Sequence, residues 1–531
     1  MAGDLFFRTE DIRQEEVLSY LVETRSDRDV IKSLKGRSPV ILKGSRGVGK
    51  SFLMRAAESE LKSSFNETKI LPVYVTFARA GLIRANTPDR FMLWMMSKVC
   101  NSIVRTASAY GLTLPAGSAI ADIQGRKSAD GSSEMERVEV ALEESWRVSG
   151  SADPKMEIPD SDILRDAIED LCRYAALKRI CLFVDEAAHV FIPEQQRQFF
   201  TLMRDLRSPF ISVKAAVYPG ATAYGDSFQP MHDASVLTVD RLLTEADYAA
   251  NMRQVVYKQD SSLKSTIERN GEVFDSLAYA ATGNPRTLLK TLDRLSQFNR
   301  RNIQEVIKEY YREDIWAEHS ALRERYPGHG ALIDWGRTFM EGSVIPALYD
   351  RNRASKSDTT SFLWVHRDAP HAVREALRLL SYSGILQEGV SGIRGTRSQI
   401  GTRYMVNLGC LCSLDADPIT FGGKVRSSLS IKRWVEYGPN HAEFRPLIKF
   451  SLSEVESEGN QALDAQLKRS IDKLDLSDFQ RSSLHSLGFG TIGDVLAADE
   501  KDFMRAHYVG PKRSRKMRNS AVAAVLEYLS G

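Results

Sequence analysis

Gly44-Ser45-Arg46-Gly47-Val48-Gly49-Lys50-Ser51 sets three glycines ahead of a lysine and a hydroxyl residue, in the spacing G-x-x-x-x-G-K-[ST]. Glycines so placed let a backbone wrap close to an anion with its N–H groups turned inward. The lysine of such a loop can reach the β- and γ-phosphates of a nucleoside triphosphate, and the hydroxyl can ligate Mg²⁺. A chance glycine-rich turn is the alternative, and the flanks argue against it. Val40-Ile41-Leu42 reads as a short buried strand, and Phe52-Leu53-Met54-Arg55-Ala56-Ala57 as the start of a helix running to Leu61. A helix beginning at the loop adds a dipole favourable to anions. A second group stands at Cys181-Leu182-Phe183-Val184-Asp185-Glu186, four apolar residues followed by two carboxylates. Asp185 at a strand's carboxyl end can hold Mg²⁺ through its water shell, and Glu186 can orient and polarise an attacking water. Alone, Asp185 could simply open a turn; beside the glycine loop the pair reads as machinery for hydrolysing a triphosphate.

The elements that must position these groups are legible around them. Strand candidates lie at 40–42, 71–77, 180–184, 211–217 and 236–239, mostly separated by helical patterns, which predicts a five-stranded parallel α/β sheet within residues 36–243. Pro72 requires its strand to be an edge or to begin there. Residues 1–35 read as a helical lead-in, with apolar helical spacing over 15–22. A Gly/Ser/Asp-rich passage at about 113–160, containing Ala129-Asp130-Gly131-Ser132-Ser133, reads as a flexible insertion with a short helix near 135–146. Residues 244–325 read as helical. Within 326–414, an amphipathic helix at 369–383 stopped by Gly384 precedes strand candidates at 385–388 and 403–407, joined by the basic loop Ser391-Gly392-Ile393-Arg394-Gly395-Thr396-Arg397. Residues 415–464 read as a linker or irregular segment, and 465–531 as a compact helical module.

The whole chain sets bounds. Its 531 residues exceed one core, and about three domains are expected. A net charge of +3 argues neither for nucleic acid nor for membrane; only local clustering can. Cys100, Cys172, Cys181, Cys410 and Cys412 lie mostly in apolar surroundings, and no second Cys/His pair completes a zinc site beside Cys410 and Cys412. Reduced thiols, no signal-peptide pattern at Met1-Ala2-Gly3-Asp4 and no apolar segment long enough for a bilayer predict a soluble, cytoplasmic protein without a membrane partner.

Glycine loop and Asp-Glu strand together resemble AAA+ ATPases, most closely the origin-recognition (initiator) type, over roughly residues 30–310. Ile211-Ser212-Val213-Lys214-Ala215-Ala216-Val217-Tyr218-Pro219-Gly220 stands where the family carries its sensor-1 strand, and a short last strand leads into a helical lid. Gly283-Asn284-Pro285-Arg286 is similar to the sensor-2 motif: Asn284 suits an N-cap, Pro285 the first helical position, and Arg286 projects from that turn. The resemblance implies ATP and Mg²⁺ as cofactors, an Arg286 that touches the γ-phosphate and reports to the lid, and a homo-oligomer or protein partner. STAND signalling ATPases share the Gly-x-Pro element. Two departures stand out. The sensor-1 strand ends in Tyr218-Pro219 rather than Asn, Thr or Ser, leaving Thr222 as a substitute. Residues 221–235, where the family carries an arginine finger, hold no arginine; Arg241 is the nearest candidate, with Arg204 and Arg207 behind it. Slow hydrolysis or a held ATP is therefore as much to be expected as a fast motor. His189, three residues beyond the Asp-Glu pair, reads as structural.

Helix, strand, basic loop, strand is the order of a winged helix, which initiator-type ATPases carry after the lid. Arg394 and Arg397 would sit in the wing, and Arg374 and Arg378 on the helix. Winged helices also serve as protein-interaction modules. Residues 476–496 and Tyr508-Val509-Gly510-Pro511-Lys512-Arg513 are similar to the helix-hairpin-helix elements in the C-terminal domain of the RNA polymerase alpha subunit. The resemblance implies that backbone N–H groups about Gly510, with Lys512 and Arg513, grip phosphates of double-stranded DNA without reading sequence. Tyr508 stands where such hairpins have their first glycine. A solvated basic helix that docks a protein is the alternative. The chain is thus expected to be an ATP-binding and hydrolysing AAA+ switch coupled to DNA binding, in genome maintenance or anti-phage defence. The rival reading is a STAND-like signalling ATPase whose C-terminal modules bind a protein.

Overall fold

The computed structural model describes residues 5–80, 88–112, 119–125, 128–129, 131–144, 160–187, 193–219, 222–225, 227–325, 329–448 and 467–530. They fall into two compact units, one within Met1–Tyr218, Thr222–Arg269 and Gly283–Asp293, the other within Pro219–Ala221, Asn270–Thr282 and Arg294–Gly531. The helices expected as a single lid at 244–325 are therefore divided between the units.

In the first unit, β1 (Val40–Lys43), β2 (Ile70–Thr76), β3 (Arg179–Asp185), β4 (Ile211–Val217) and β5 (Ser235–Thr238) pair in the order β2-β3-β4-β1-β5, all parallel. The expected five-stranded sheet is present. Pro72 lies in β2, an edge strand, where its missing N–H breaks no ladder on the open side. β3 and β4 are buried at every position, as strands covered on both faces must be. Their side chains alternate between two cores. Cys181 and Phe183 pack with Leu34 of α1 (Arg25–Lys35) and with Leu53, Met54 and Ala57 of α2 (Lys50–Ser63). Ile180, Leu182 and Val184 join Trp94 of α3 (Pro88–Ala109), Met135 of α4 (Glu134–Glu144), Ile168 of α5 (Ser161–Tyr174) and Phe200 of α6 (Pro193–Asp205). Two further helices, α7 (Tyr248–Gln259) and α8 (Pro285–Asp293), complete the elements used below.

Two expectations need correction here. The passage at 113–160 is not simply a flexible insertion: α4 buries Met135, Val138 and Leu142 in the core. Its other buried positions, Glu139 and Glu143, accept from Lys98 at 3.1 and 2.5 Å, and Asn101 donates to Glu139 at 2.7 Å. The short helix expected near 135–146 is present, but polar composition hid its place in the core, where its acids meet the half-buried Lys98. The lead-in is likewise not helical over 15–22. It forms short 3-10 turns at Thr9–Asp11 and Val17–Tyr20, and Val17 and Leu21 are buried against α2 because they belong to the core rather than to a helix of their own.

In the second unit, β6 (Phe362–His366), β7 (Leu386–Arg394), β8 (Ile400–Val406) and β9 (Val435–Tyr437) form a sheet ordered β7-β8-β6-β9. β8 is antiparallel to both neighbours, and β6 and β9 are parallel. α9 (His371–Tyr382) connects β6 to β7. The basic loop is shorter than expected: Ser391, Ile393 and Arg394 are still paired with β8, leaving 395–399 as the turn. Nor is 415–448 a linker. It supplies the helix Pro418–Ser427, strand β9, and Phe444, which packs on Trp335, Phe339 and Tyr437. Residues 449–466 lie outside the described residues.

The C-terminal module contains α10 (Asp478–Ser486), α11 (Ile492–Ala497), a short turn of helix at Glu500–Phe503, and α12 (Pro511–Ser530). Capping boxes Ser477/Gln480 and Thr491/Asp494 start α10 and α11 by satisfying otherwise orphaned N–H groups. Arg515 of α12 seats the module on the sheet, donating to Asp368 O at 3.3 Å and Asn440 Oδ1 at 2.7 Å. Asn519 accepts from His371 N at 3.2 Å, at the start of α9. α9 is thereby a packed helix. Arg378 is half-buried and spends its guanidinium on Glu375, and of the arginines expected on this helix Arg374 is the exposed one. All five cysteines are free and buried. No described helix is long and apolar enough to cross a membrane.

Candidate functional site

Parallel pairing brings the carboxyl ends of β3, β4 and β1 together, the edge at which open α/β sheets bind ligands. The glycine loop leaves β1 there. Gly47 and Gly49 have φ of +90° and +103°, values that L-residues rarely adopt, and Gly49 is the N-cap of α2. A Cβ on Gly47 would lie 2.7 Å from Asn284 Oδ1. The loop is thus wrapped against the start of α8, where Asn284 also donates to Arg46 O at 2.8 Å.

Lys50 is buried, with its ammonium donating to Gly44 O at 2.6 Å and Ser45 O at 3.0 Å. It also sits 4.1 Å above the ring of Tyr218, the residue that follows β4 in place of the expected polar sensor. Burial pushes the Lys50 ammonium down to about 7, with Asp185 opposing and Arg286 assisting. Asp185 accepts from Tyr74 Oη at 2.5 Å and from Glu186 N at 2.9 Å. Tyr74, on the neighbouring edge strand, has the Arg55 guanidinium 3.4 Å from its ring centroid, so α2 and β2 together fix the Asp185 partner. Glu186 has φ +56°, a left-handed conformation uncommon outside glycine and characteristic of strained functional positions. Burial raises its carboxyl to about 7, reinforced by Asp185 and Glu10.

Lys50, Ser51, Glu186 and Arg286 line one cavity of about 370 Å³. Such a volume suits a small-molecule ligand. Arg286 donates its Nε to Phe7 O at 2.8 Å, and burial, then Arg46, lowers its pKa. The side chains placed here can hold a polyanion, ligate a cation through a hydroxyl and a carboxylate, and present a second carboxylate to water.

Several contributors escape the motif reading. The N-terminal segment walls the cavity with Phe6, Arg8, Glu10 and Ile12, and Phe6 exchanges two hydrogen bonds with Gln259 of α7, at 2.8 and 3.2 Å. Tyr74 carried no signal, since only the pairing of β2 with β3 brings it to Asp185. The arginine-finger candidates are all engaged within their own unit. Arg241 donates to Val48 O at 2.7 Å and pairs with Asp27 at 3.3 Å. Arg204 donates to Ser227 O and Arg207 to Asp233 O. Thr222, the expected sensor substitute, donates its hydroxyl to Tyr218 O at 2.9 Å. His189 lies outside the described residues.

In the second unit, Arg394 is exposed at the end of β7, and the backbone of Arg397 lies in the turn Thr396–Ser398. Gly510, Lys512 and Arg513 are exposed at the start of α12, together with Lys501, Arg505 and Lys516. Arg515 and Arg518, also in the basic run, instead bond inward, Arg518 to Ala498 O at 2.5 Å.

No protein-family model matches the chain, and no curated protein is similar to it at a significant level. Among solved structures, a Walker-type ATPase of Pyrococcus abyssi is similar at 14% identity, with 80% of this chain and 98% of that chain covered and a TM-score of 0.37. The ORC1 protein of Aeropyrum pernix in complex with DNA is similar at 15% identity, covering 76% and 97%, with a TM-score of 0.31. AMPPCP-bound DnaA from Aquifex aeolicus follows at 13% identity, 56% and 75%, and 0.26. At such identities and scores the likeness assigns this chain no function and no site residue.

Proposed function

We propose that the first unit binds and slowly hydrolyses ATP as an AAA+ switch of the initiator type, and that its nucleotide state governs engagement of double-stranded DNA by the second unit. The observation that carries the ATPase reading is the convergence of Lys50, Ser51, Glu186 and Arg286 on one cavity, with Asp185 bonded directly to Glu186. In this reading Lys50 exchanges its two loop carbonyls for phosphate oxygens, and the backbone of Gly44–Ser51 cradles the β-phosphate. The donor set fits Mg²⁺: Ser51 and Asp185 supply one hydroxyl and one carboxylate, suited to an ion that keeps waters and substrate oxygens. When bound, that ion would neutralise charge on the phosphates. Glu186 takes a proton from the attacking water, and Arg286 contacts the γ-phosphate while Phe7 O holds its Nε. Engagement of Arg204, Arg207 and Arg241 in their own unit supports slow turnover in the absence of an arginine from another chain.

The DNA reading rests on the exposed cations of the C-terminal module and on Arg394, with the β7-β8 hairpin as wing and the turns before α11 and α12 as helix-hairpin-helix elements. With α9 packed beneath α12, contact is to phosphates rather than to base edges. ATP turnover measured with and without duplex DNA tests the coupling. Glu186→Gln should retain ATP binding and lose turnover by roughly 10²-fold or more, and Lys50→Ala should lose binding. No ATP turnover in the wild-type protein sinks the ATPase assignment, and undiminished turnover in Glu186→Gln sinks the role of Glu186; equal turnover with and without DNA sinks the coupling.

A further inference from the structure

The turn before α12 contains a residue that backbone geometry disfavours and packing does not explain. Tyr508 has φ +61°, the left-handed region in which a β-substituted residue is strained, yet its side chain is 76% exposed and so gains little from burial. Glycine would fit this backbone without cost. Instead the turn is reinforced around the tyrosine. Arg513 donates to Tyr508 O at 2.6 Å, fixing the carbonyl, and the His507 ring packs edge-on against the Tyr508 ring at 4.1 Å between centroids. Arg513 in turn lies 5.1 Å over Phe479, itself 44% exposed. The result is an exposed aromatic ring on a braced turn, with exposed Lys512, Arg513 and Arg505 within five residues of it in the chain. Strain retained by a bulky residue at an exposed position is a reason to ask what its side chain does.

We propose that Tyr508 is a base-stacking residue, and that the C-terminal module prefers nucleic acid containing unpaired bases, its cations holding the adjoining phosphates. An exposed aromatic offers a π-face to any base, whereas bases in an intact duplex are stacked on one another; the neighbouring cations suit a phosphate backbone better than an apolar protein face. The inference rests on the DNA-binding reading above and adds to its duplex phosphate contacts a tighter hold on DNA that also offers unpaired bases.

The full-length protein, titrated by fluorescence anisotropy at fixed low salt with a single-stranded oligothymidine and with a fully paired, blunt-ended duplex of two strands, tests it. Tyr508→Gly and Tyr508→Ala should weaken single-strand binding by about tenfold while leaving duplex binding within twofold. Tyr508→Trp should retain the preference. Tyr508→Gly relieves the left-handed strain, so an undiminished melting temperature is expected and loss of binding cannot be ascribed to unfolding. An unchanged single-strand to duplex ratio in Tyr508→Gly overturns the stacking role alone. Failure of the wild-type protein to bind either probe overturns the nucleic-acid reading and the stacking role with it.

Discussion

At the scale of single residues, the contacts around the glycine loop separate side chains that hold its shape from those aimed at a ligand. Arg241 illustrates the first class. It pins Val48 O and meets Asp27, which is buried and lies in the first turn of α1. Removing the half-buried Arg241 leaves the buried Asp27 carboxylate without this partner, at a cost of about 1–3 kcal/mol. Arg241→Ala should therefore lower stability by that order and weaken ATP binding. Asp27→Asn combined with Arg241→Ala should recover much of the stability but not the affinity, as measured by chemical denaturation and calorimetry. Additive losses in the double variant would show that the two side chains do not interact. Lys50, Asp185 and Glu186 could be named from the motif because loop and strand-end spacing are local. Tyr74 and Phe7 could not, because they reach the site through a strand pair and a chain segment remote in sequence.

At the scale of elements, the loop and α8 act as a pair. Gly47 has no room for a Cβ between Asn284 and Arg286, with would-be contacts at 2.7 and 2.9 Å, and its φ of +90° excludes most other residues. Gly47→Ala should fold, since the sheet and both cores are untouched, but lose ATP affinity by at least tenfold. Equilibrium binding of a fluorescent ATP analogue checks this, and wild-type affinity would mean that the loop need not press against α8. The five strands were legible because each is a short apolar run feeding a helix. Pro72 narrowed β2 to an edge strand or one that begins there, and the strand order decided for the edge. The helix α4 was legible near 135–146, but its place in the core was not, because Glu139 and Glu143 are buried by pairing with Lys98 of a helix remote in sequence. The segment 415–448 was obscured because β9 is only three residues long and gains its place by pairing with β6.

At the scale of the whole molecule, acid should act first on the second unit. His319 is fully buried between Ser383 Oγ at 2.8 Å and Ile333 O at 3.3 Å, and burial pushes it down to about 4. His329 is pushed down to about 4 by burial as well, with Glu375 opposing. A folded pKa below the ordinary value of 6.5 means that the unfolded chain binds more protons between pH 6.5 and 4. Their contribution is therefore complete above pH 6.5 and lost as pH falls through that window, on the order of 2–3 kcal/mol for each histidine. The melting temperature of unfolding for the second unit should drop between pH 7 and 5, and His319→Gln should flatten that drop. An equally steep drop in the variant would locate the acid sensitivity elsewhere.

The amino-acid sequence by itself determined the chemistry on offer at the first unit's cavity: the loop Gly44–Ser51, the pair Asp185-Glu186 and Arg286 at a helix start, all of them local patterns set by backbone conformation and spacing. Only the tertiary structure decided who surrounds them and which cations remain available. Tyr218 took the place beneath Lys50, Arg241 became an internal clamp, and Arg515 was spent seating α12. The physical reason is the same in each case. A charged side chain's role is fixed by its desolvation and its partners, and those come from strand order and helix docking rather than from neighbours in the chain.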